Sequence, residues 1–407
     1  MSCVSSSERT RVLCIATAYP RHEGDHVTPW LPELIRRLRT KEIDVEVLTS
    51  AYRGLGDQTV DGVRVHRFRY APASLEHLTH DLSAPAQIKK IPLMAALIPT
   101  YIARGRAAAE RLALTGRFDV VHALWPVPHA VMGAAAKRAA HLPLVSTFFG
   151  SEIAWRGALR ATLAPAVRAA IRASDVVTAI SRYTAELVRQ FAPEVEPRII
   201  PIGAAVEPPA AQATSHDRKI FELLYAGRLT SRKGVHVLLD ALARGTTRST
   251  LHVVGDGAER SNLELRAAKL GVAARVHFHG FVTRDELVRR YESCDTLVLP
   301  SLGSVQGDVE GLGIPAIEAL GFGKAVIASA SGGIADIVQD GINGLLVPPG
   351  DPEALSRAID SLESDRPRAR ALGAAGRTHV QRQFGWAAII EALIDVYRSA
   401  RARRAAL

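Results

Sequence analysis

The chain has 407 residues, 47% of them hydrophobic and 23% charged, which is more than one hydrophobic core usually organises, so two soluble globular domains are expected. Its 51 Lys and Arg against 41 Asp and Glu give a formal charge of +10, a balance that suits a phosphorylated ligand, an anionic membrane surface or nucleic acid. Nucleic acid is disfavoured, because no Lys/Arg block interleaved with aromatics and no recognition module is present. The scattered Cys3, Cys14 and Cys294 form neither a disulfide framework nor a zinc motif and fit a reducing compartment. The opening MSCVSSSERTR lacks the apolar core of a signal peptide, and no run of ~18 apolar residues could span a bilayer, so a cytoplasmic location is expected.

From the N-terminus onward, short apolar runs alternate with helical patterns. RVLCIATA (11–18), IDVEVLTS (43–50), FDVVHAL (118–124), PLVSTFF (143–149) and SDVVTAI (174–180) read as buried parallel strands. Between most of them lie helical stretches, such as 29–40, 130–140 and 158–173, which gives one open α/β sheet. The segment IKKIPLMAALIPTYIARGR (88–106) is apolar, broken by Pro92 and Pro99, and flanked by Lys89, Lys90, Arg104 and Arg106. It reads either as a helix packed on its own domain or as a surface-lying contact with an anionic membrane.

Residues 204–218, rich in Pro, Ala and small polar side chains, read as a linker between an N-terminal domain (1–203) and a second domain (219–385). The strand pattern then resumes with 221–227, 250–255, 275–280, 295–300 and 324–330, again with helices between. Two doubly wound, Rossmann-like domains would face each other across a cleft at their strand ends, where open α/β sheets bind ligands. The final helix, 386–407, is expected to pack back on the first domain.

Four glycine-marked turns follow strands of the second domain. AGRLTSRKG (226–234) sets Arg228 and Lys233 before a helix, a pair that suits either a diphosphate clamp or a solvated surface. VVGDGAER (253–260) is not a dinucleotide fingerprint, because Arg260 stands where a third glycine is needed. HGFVTRDEL carries Thr283 as a helix cap, with Asp285 and Glu286 in the first turn. GDVEGLGIPAIEALGFGK (307–324) places Glu310 on a glycine-rich loop and Glu318 eight positions on, inside the helix that follows. Backbone N–H groups and the positive helix end would face the same cavity, an arrangement for a ligand with both hydroxyls and phosphate. The plainer reading is a loop and a core helix carrying one solvated glutamate.

The order GRL…KG, VGDG, GFV, EGLGIPAIEALGFGKAVIAS, GG and DGINGLLVPPGD resembles the C-terminal domain of the retaining GT-B glycosyltransferases with paired glutamates, the group 1 enzymes of capsule, exopolysaccharide and glycolipid synthesis. It covers about Tyr225 to Ile359, and AYPRHEGDH, DVVHALWP and SDVVTAIS extend it more weakly. The resemblance implies that Arg228 and Lys233 hold the donor diphosphate and that Glu310 faces the donor sugar. Glu318 would bind ribose hydroxyls, and Gly311, Leu312 and Gly313 would offer backbone N–H groups. Phe281 and Val282 fall where the family binds the base, and Gly24 with Asp25 match the loop that closes over the donor.

Two departures stand out. FFGSE puts Phe149, followed by Gly150, where the family has a histidine near the transferred sugar, and Glu152 where it has the acid; the loop EGD replaces a double glycine. His122 is a candidate compensating residue, or a satisfied histidine at the cleft edge. No metal-ligand cluster appears, since Asp256 and Asp308 lack the partners a Mg²⁺–diphosphate site recruits. The expected function is therefore metal-independent, cofactor-free retaining transfer of a sugar from a UDP- or GDP-sugar to a glycan or lipid-linked acceptor. A catalytically weak sugar-nucleotide-binding subunit and a sugar-nucleotide epimerase are the alternatives.

Overall fold

The computed structural model describes residues 9–25, 27–81, 84–209, 220–246, 248–303 and 310–405. Residues 210–218 of the expected linker, Cys3 and Asp308 lie outside them. The first half runs β1 (Thr10–Ile15), α1 (Trp30–Arg39), β2 (Ile43–Ser50), β3 (Gln58–Val60), β4 (Val63–Phe68), α2 (Ala84–Lys90), α3 (Ile98–Thr115), β5 (Val120–Leu124), α4 (Pro126–Ala140), β6 (Leu144–Phe148), α5 (Gly157–Ala173), β7 (Val176–Ala179), α6 (Arg182–Arg189) and β8 (Arg198–Ile199). These strands make one eight-stranded sheet in the order β3-β4-β2-β1-β5-β6-β7-β8, parallel except for the β3–β4 hairpin. The central strands VVHAL and LVSTF are buried along their whole length, as helices on both faces require. The hairpin turns at Asp61 and Gly62, both at positive φ (47° and 72°), the backbone that an Asp-Gly pair supplies to a tight two-residue turn.

The second half runs β9 (Glu222–Ala226), α7 (Val235–Arg244), β10 (Thr250–Val254), α8 (Arg260–Lys269), β11 (Val276–Gly280), α9 (Arg284–Ser293), β12 (Thr296–Leu299), α10 (Ile314–Gly321), β13 (Ala325–Ser329), β14 (Leu345–Val347), α11 (Pro352–Ser364), α12 (Arg366–Gln383) and α13 (Trp386–Ala405). Its six strands, in the order β11-β10-β9-β12-β13-β14, are all parallel. Thr283 caps α9 by accepting from the Glu286 N–H at 3.3 Å. The order doubles back at β9 and β12 in this sheet and at β1 and β5 in the first, the switch points where such sheets open a crevice.

Helix α13 leaves the second unit and packs on the first. The Tyr397 hydroxyl meets His122 Nδ1 at 2.9 Å, and Arg403 donates to the Asp175 carbonyl at 2.7 Å. Trp386 Nε1 donates to the carbonyl of Ala204 at 2.9 Å, so the two chain crossings between the sheets touch. Trp30, Phe149 and Ile180 of the first unit share one apolar cluster with Leu312, Ile334 and Ile337 of the second.

Candidate functional site

The loops after β6 and β7 meet those before α10 and after β13. A Cβ on Gly311 would lie 2.5 Å from the Phe149 carbonyl oxygen and 3.4 Å from Ile180 Cδ1. Arg182 donates to Asp336 across the same seam, from its backbone N–H at 2.5 Å and its Nε at 2.9 Å. On the second-domain side Gly333 N–H donates to the Glu310 carbonyl at 2.8 Å.

Glu310 stands at the mouth of this seam with a side chain 15% exposed. Lys233 Nζ donates to its Oε2, Ser301 Oγ reaches the same oxygen at 3.4 Å, and Arg232 Nη1 lies 3.8 Å away. Burial alone would raise this carboxyl, but Lys233 and then Arg232 outweigh it and hold it below the usual carboxylate range. Lys233 ends a single 3₁₀ turn, Ser231–Lys233, and the chain turns into α7 through Gly234 at φ +69°. A side chain at Gly234 would meet the Pro300 carbonyl at 1.9 Å, so glycine is what lets the cation loop pack under β12. Arg228, at the end of β9, is exposed, while its carbonyl is held by the Tyr225 hydroxyl at 2.9 Å.

Helix α10 is capped at Gly313 (φ +92°), three residues after Glu310. Leu312 turns its side chain into the core. Glu318, one helical stretch further on, is 5% exposed and accepts from the backbone N–H groups of Ala205 and Val206 and from the Tyr291 hydroxyl. Burial pushes its carboxyl up to about 7 against those three donors. Phe281 is 64% exposed past the end of β11, and Val282 packs against the shared core.

In the first domain Gly24 takes φ +77° with nothing within 4 Å of a Cβ position, so it faces open space. Asp25 is spent within the loop: it accepts from Arg21 N–H at 2.8 Å, Nε at 2.7 Å and Nη2 at 2.9 Å. Phe149 is buried and stacks on Trp125 at 4.0 Å with a 17° interplanar angle, with Trp30 at 5.5 Å. Gly150 (φ +96°) turns the chain against Thr184 of α6. Glu152 is 7% exposed; its Oε1 accepts from Phe149 N–H at 2.8 Å, and burial pushes it up to about 7. A cavity of about 30 Å³ under Phe149, lined by Trp30, Thr147 and Trp386 among others, has room for a water and not for a sugar.

His122 is a core histidine. Its Nδ1 meets Tyr397 and its Nε2 meets Thr147 Oγ1 at 2.7 Å, and burial lowers it to about 3, so it stays neutral. Both nitrogens are occupied, which leaves none to stand in for the histidine that Phe149 replaces. Arg232, the second cation on Glu310, was missed by the sequence reading although it adjoins Lys233 in TSRKG. Asp256 pairs with Arg260 at 3.2 Å, and among the described residues no group of three or more His, Cys, Asp or Glu could hold a metal ion.

Residues 27–203 match the family model described as "Glycosyl transferase 4-like domain", and residues 208–379 match "Glycosyl transferases group 1". The chain is 31% identical over 299 residues to the GDP-mannose-dependent alpha-(1-6)-phosphatidylinositol monomannoside mannosyltransferase of Mycolicibacterium smegmatis, covering 69% of this chain and 76% of that one. It is 29% identical over 400 residues to the D-inositol 3-phosphate glycosyltransferase of Xylanimonas cellulosilytica, covering 92% and 91%. The fold is similar to that of sucrose-phosphate synthase from Thermosynechococcus elongatus, with a TM-score of 0.76 and 24% identity over 97% of this chain and 100% of that one.

Proposed function

The chain belongs to the group 1 glycosyltransferases of GT-B fold, and on that premise we propose that it is a retaining, metal-independent enzyme that moves a sugar from a UDP- or GDP-sugar to a phosphate-bearing glycolipid or glycan acceptor. The observation that carries this reading is the Glu310–Lys233–Arg232 cluster directly before the N-terminus of α10. A donor sugar lying on Glu310 has its diphosphate beside Lys233, Arg232 and Arg228, with the positive helix end behind it. As the C1–oxygen bond to the diphosphate breaks, these cations stabilise the developing charge. The acceptor oxygen bonds to C1 on the face the diphosphate leaves, and the acceptor proton passes to a departing phosphate oxygen. The products are glycosylated acceptor of retained configuration and nucleoside diphosphate.

The acceptor class follows the two curated relatives, whose names specify a phosphatidylinositol monomannoside and an inositol 3-phosphate. The segment around α2 and α3 supports a lipid-linked form: Leu93 is 81% exposed, Ile91 39% and Ile98 37%, while Lys89, Lys90, Arg104 and Arg106 are exposed beside them. Met94 and Tyr101 of the same stretch are buried, so it is packed on its domain by one face and open on the other. Among the described residues no helix is long and apolar enough to cross a membrane, and contact at the surface is the proposed mode.

The test is a panel of UDP- and GDP-sugars with inositol phosphate and phosphatidylinositol acceptors, with and without EDTA. The anomeric configuration of the product is read by NMR. Nucleoside diphosphate release that is insensitive to EDTA and gives retained configuration is expected. Silence across all donors, with tight nucleotide binding, would favour a binding subunit in which Phe149 has removed a sugar contact.

A further inference from the structure

Glu318 touches the place where the chain first crosses between the domains. Its Oε1 accepts from the N–H groups of Ala205 and Val206, each at 3.1 Å, and its Oε2 accepts from the Tyr291 hydroxyl at 2.7 Å. Tyr291, from α9, is fully buried and stacks on Phe322 at 5.2 Å with a 20° interplanar angle, which fixes the direction of its hydroxyl. On the other side of the same linker the Trp386 ring fills the space beside Gly203, where a Cβ would come within 2.5 Å of it. The Trp386 indole N–H holds the Ala204 carbonyl at 2.9 Å. Four consecutive residues, 203–206, are thus fixed between a tryptophan at the second crossing and a carboxylate on α10.

Glu310 and Glu318 belong to one loop-and-helix unit: α10 is eight residues long, about 12 Å, and starts four residues after Glu310. A shift of that unit at the donor end moves the carboxylate under the linker. We propose that Tyr291, Glu318 and the Ala205–Val206 amides form a hinge latch through which a nucleotide in the donor site sets the relative position of the two domains. The proposal rests on the reading of Glu318 as a ribose ligand. A carboxylate offers about four lone-pair sites, and three are used, so a ribose hydroxyl is the donor that would complete the set. The added donor favours the ionised form, which makes a stronger, charge-assisted acceptor for the linker amides. Nucleotide therefore tightens the latch, with Tyr291 as a positioning residue acting through Glu318.

The test is hydrogen exchange of the peptide covering 203–207 in the full chain, with and without UDP or GDP, after calorimetry has shown which nucleotide binds. In the wild type, nucleotide should slow exchange at Ala205 and Val206 several-fold. Tyr291→Phe, which removes one hydroxyl and keeps the stacked ring, should exchange faster without nucleotide and lose most of the response. Trp386→Phe should loosen the same peptide but keep the response, because it acts on Ala204 and not on Glu318. Nucleotide binding that leaves exchange at 205 and 206 unchanged would overturn the latch, as would a wild-type response in Tyr291→Phe. A flat calorimetric titration would overturn the ribose reading and the coupling together, and is recognisable before any exchange is measured.

Discussion

The carbonyl oxygen of Phe149 lies 2.5 Å from where a Cβ on Gly311 would stand, closer than real Cβ contacts come. The two residues belong to different domains, so the glycine sets how near the first domain can approach Glu310. Gly311→Ala should therefore hold the domains apart while leaving each one folded. A misplacement of about 1 Å at a reacting centre costs on the order of 10²-fold, and a loss of that size in turnover is expected with little change in melting temperature. A near-wild-type rate would show that this contact is not part of the working geometry.

The cluster on Glu310 divides the work between charge and contact. Glu310→Gln and Lys233→Ala should each lower kcat by roughly 10²–10³, the cost of one preorganised electrostatic contact, about 2.7–4 kcal/mol. Arg232→Met should cost less, since Arg232 stands 3.8 Å from the carboxylate that Lys233 touches directly. Steady-state rates at saturating donor separate the three. Equal small losses would move the reacting centre away from Glu310.

What the sequence made legible was what neighbouring residues encode. The strands 43–50 and 250–255 were readable because apolar residues recur at alternate positions and are buried there, and the Thr283 cap because Ser/Thr caps act within three residues. The β3–β4 hairpin was missed, although Asp61-Gly62 carried its turn signal. The positions of Glu310 and Lys233 were legible as motifs, but their ion pair spans 77 residues and belongs to the fold. The same holds for Glu318, whose partners Ala205 and Val206 lie more than 110 residues upstream, and for His122, whose Nδ1 is hydrogen-bonded by Tyr397 of the last helix. Asp25 matched a ligand-facing loop in sequence, yet its carboxylate bonds Arg21 four residues away and shapes that loop from inside.

Glu152 should make stability fall as pH rises. Its folded value is raised from the ordinary 4.5 to about 7, so between these two values the folded chain binds more protons than the unfolded one. Its contribution is most favourable below about pH 4.5, declines through that window and is constant above about 7. The limiting size is roughly 3 kcal/mol, from 1.36 kcal/mol per pH unit across the window. Glu152→Gln keeps an acceptor for the Phe149 N–H and cannot titrate. The difference in unfolding free energy between wild type and variant, measured by urea denaturation from pH 4.5 to 8, should change in that direction. A difference independent of pH would mean that the carboxyl is ionised throughout.

Leu93 gives the membrane proposal its sharpest test. It is 81% exposed, in the stretch that also exposes Ile91 and Ile98, and Lys89 and Lys90 precede it. Burying one leucine side chain contributes about 1.5–3 kcal/mol. Each Lys or Arg near an anionic surface adds on the order of 1 kcal/mol, screened beyond a Debye length of about 8–10 Å. Together these terms support reversible binding rather than insertion. Co-sedimentation with phosphatidylinositol- or phosphatidylserine-containing vesicles should be clear at low salt, fade as salt is raised, and be absent on neutral vesicles. Leu93→Asp should abolish it, whereas Lys89→Ala with Lys90→Ala should weaken it and flatten its salt dependence. Transfer to a water-soluble acceptor should be unchanged in Leu93→Asp, because the side chain points out to solvent. If the wild type stays in the supernatant on anionic vesicles at low salt, the acceptor is a soluble phosphorylated polyol or glycan and the open face has another role.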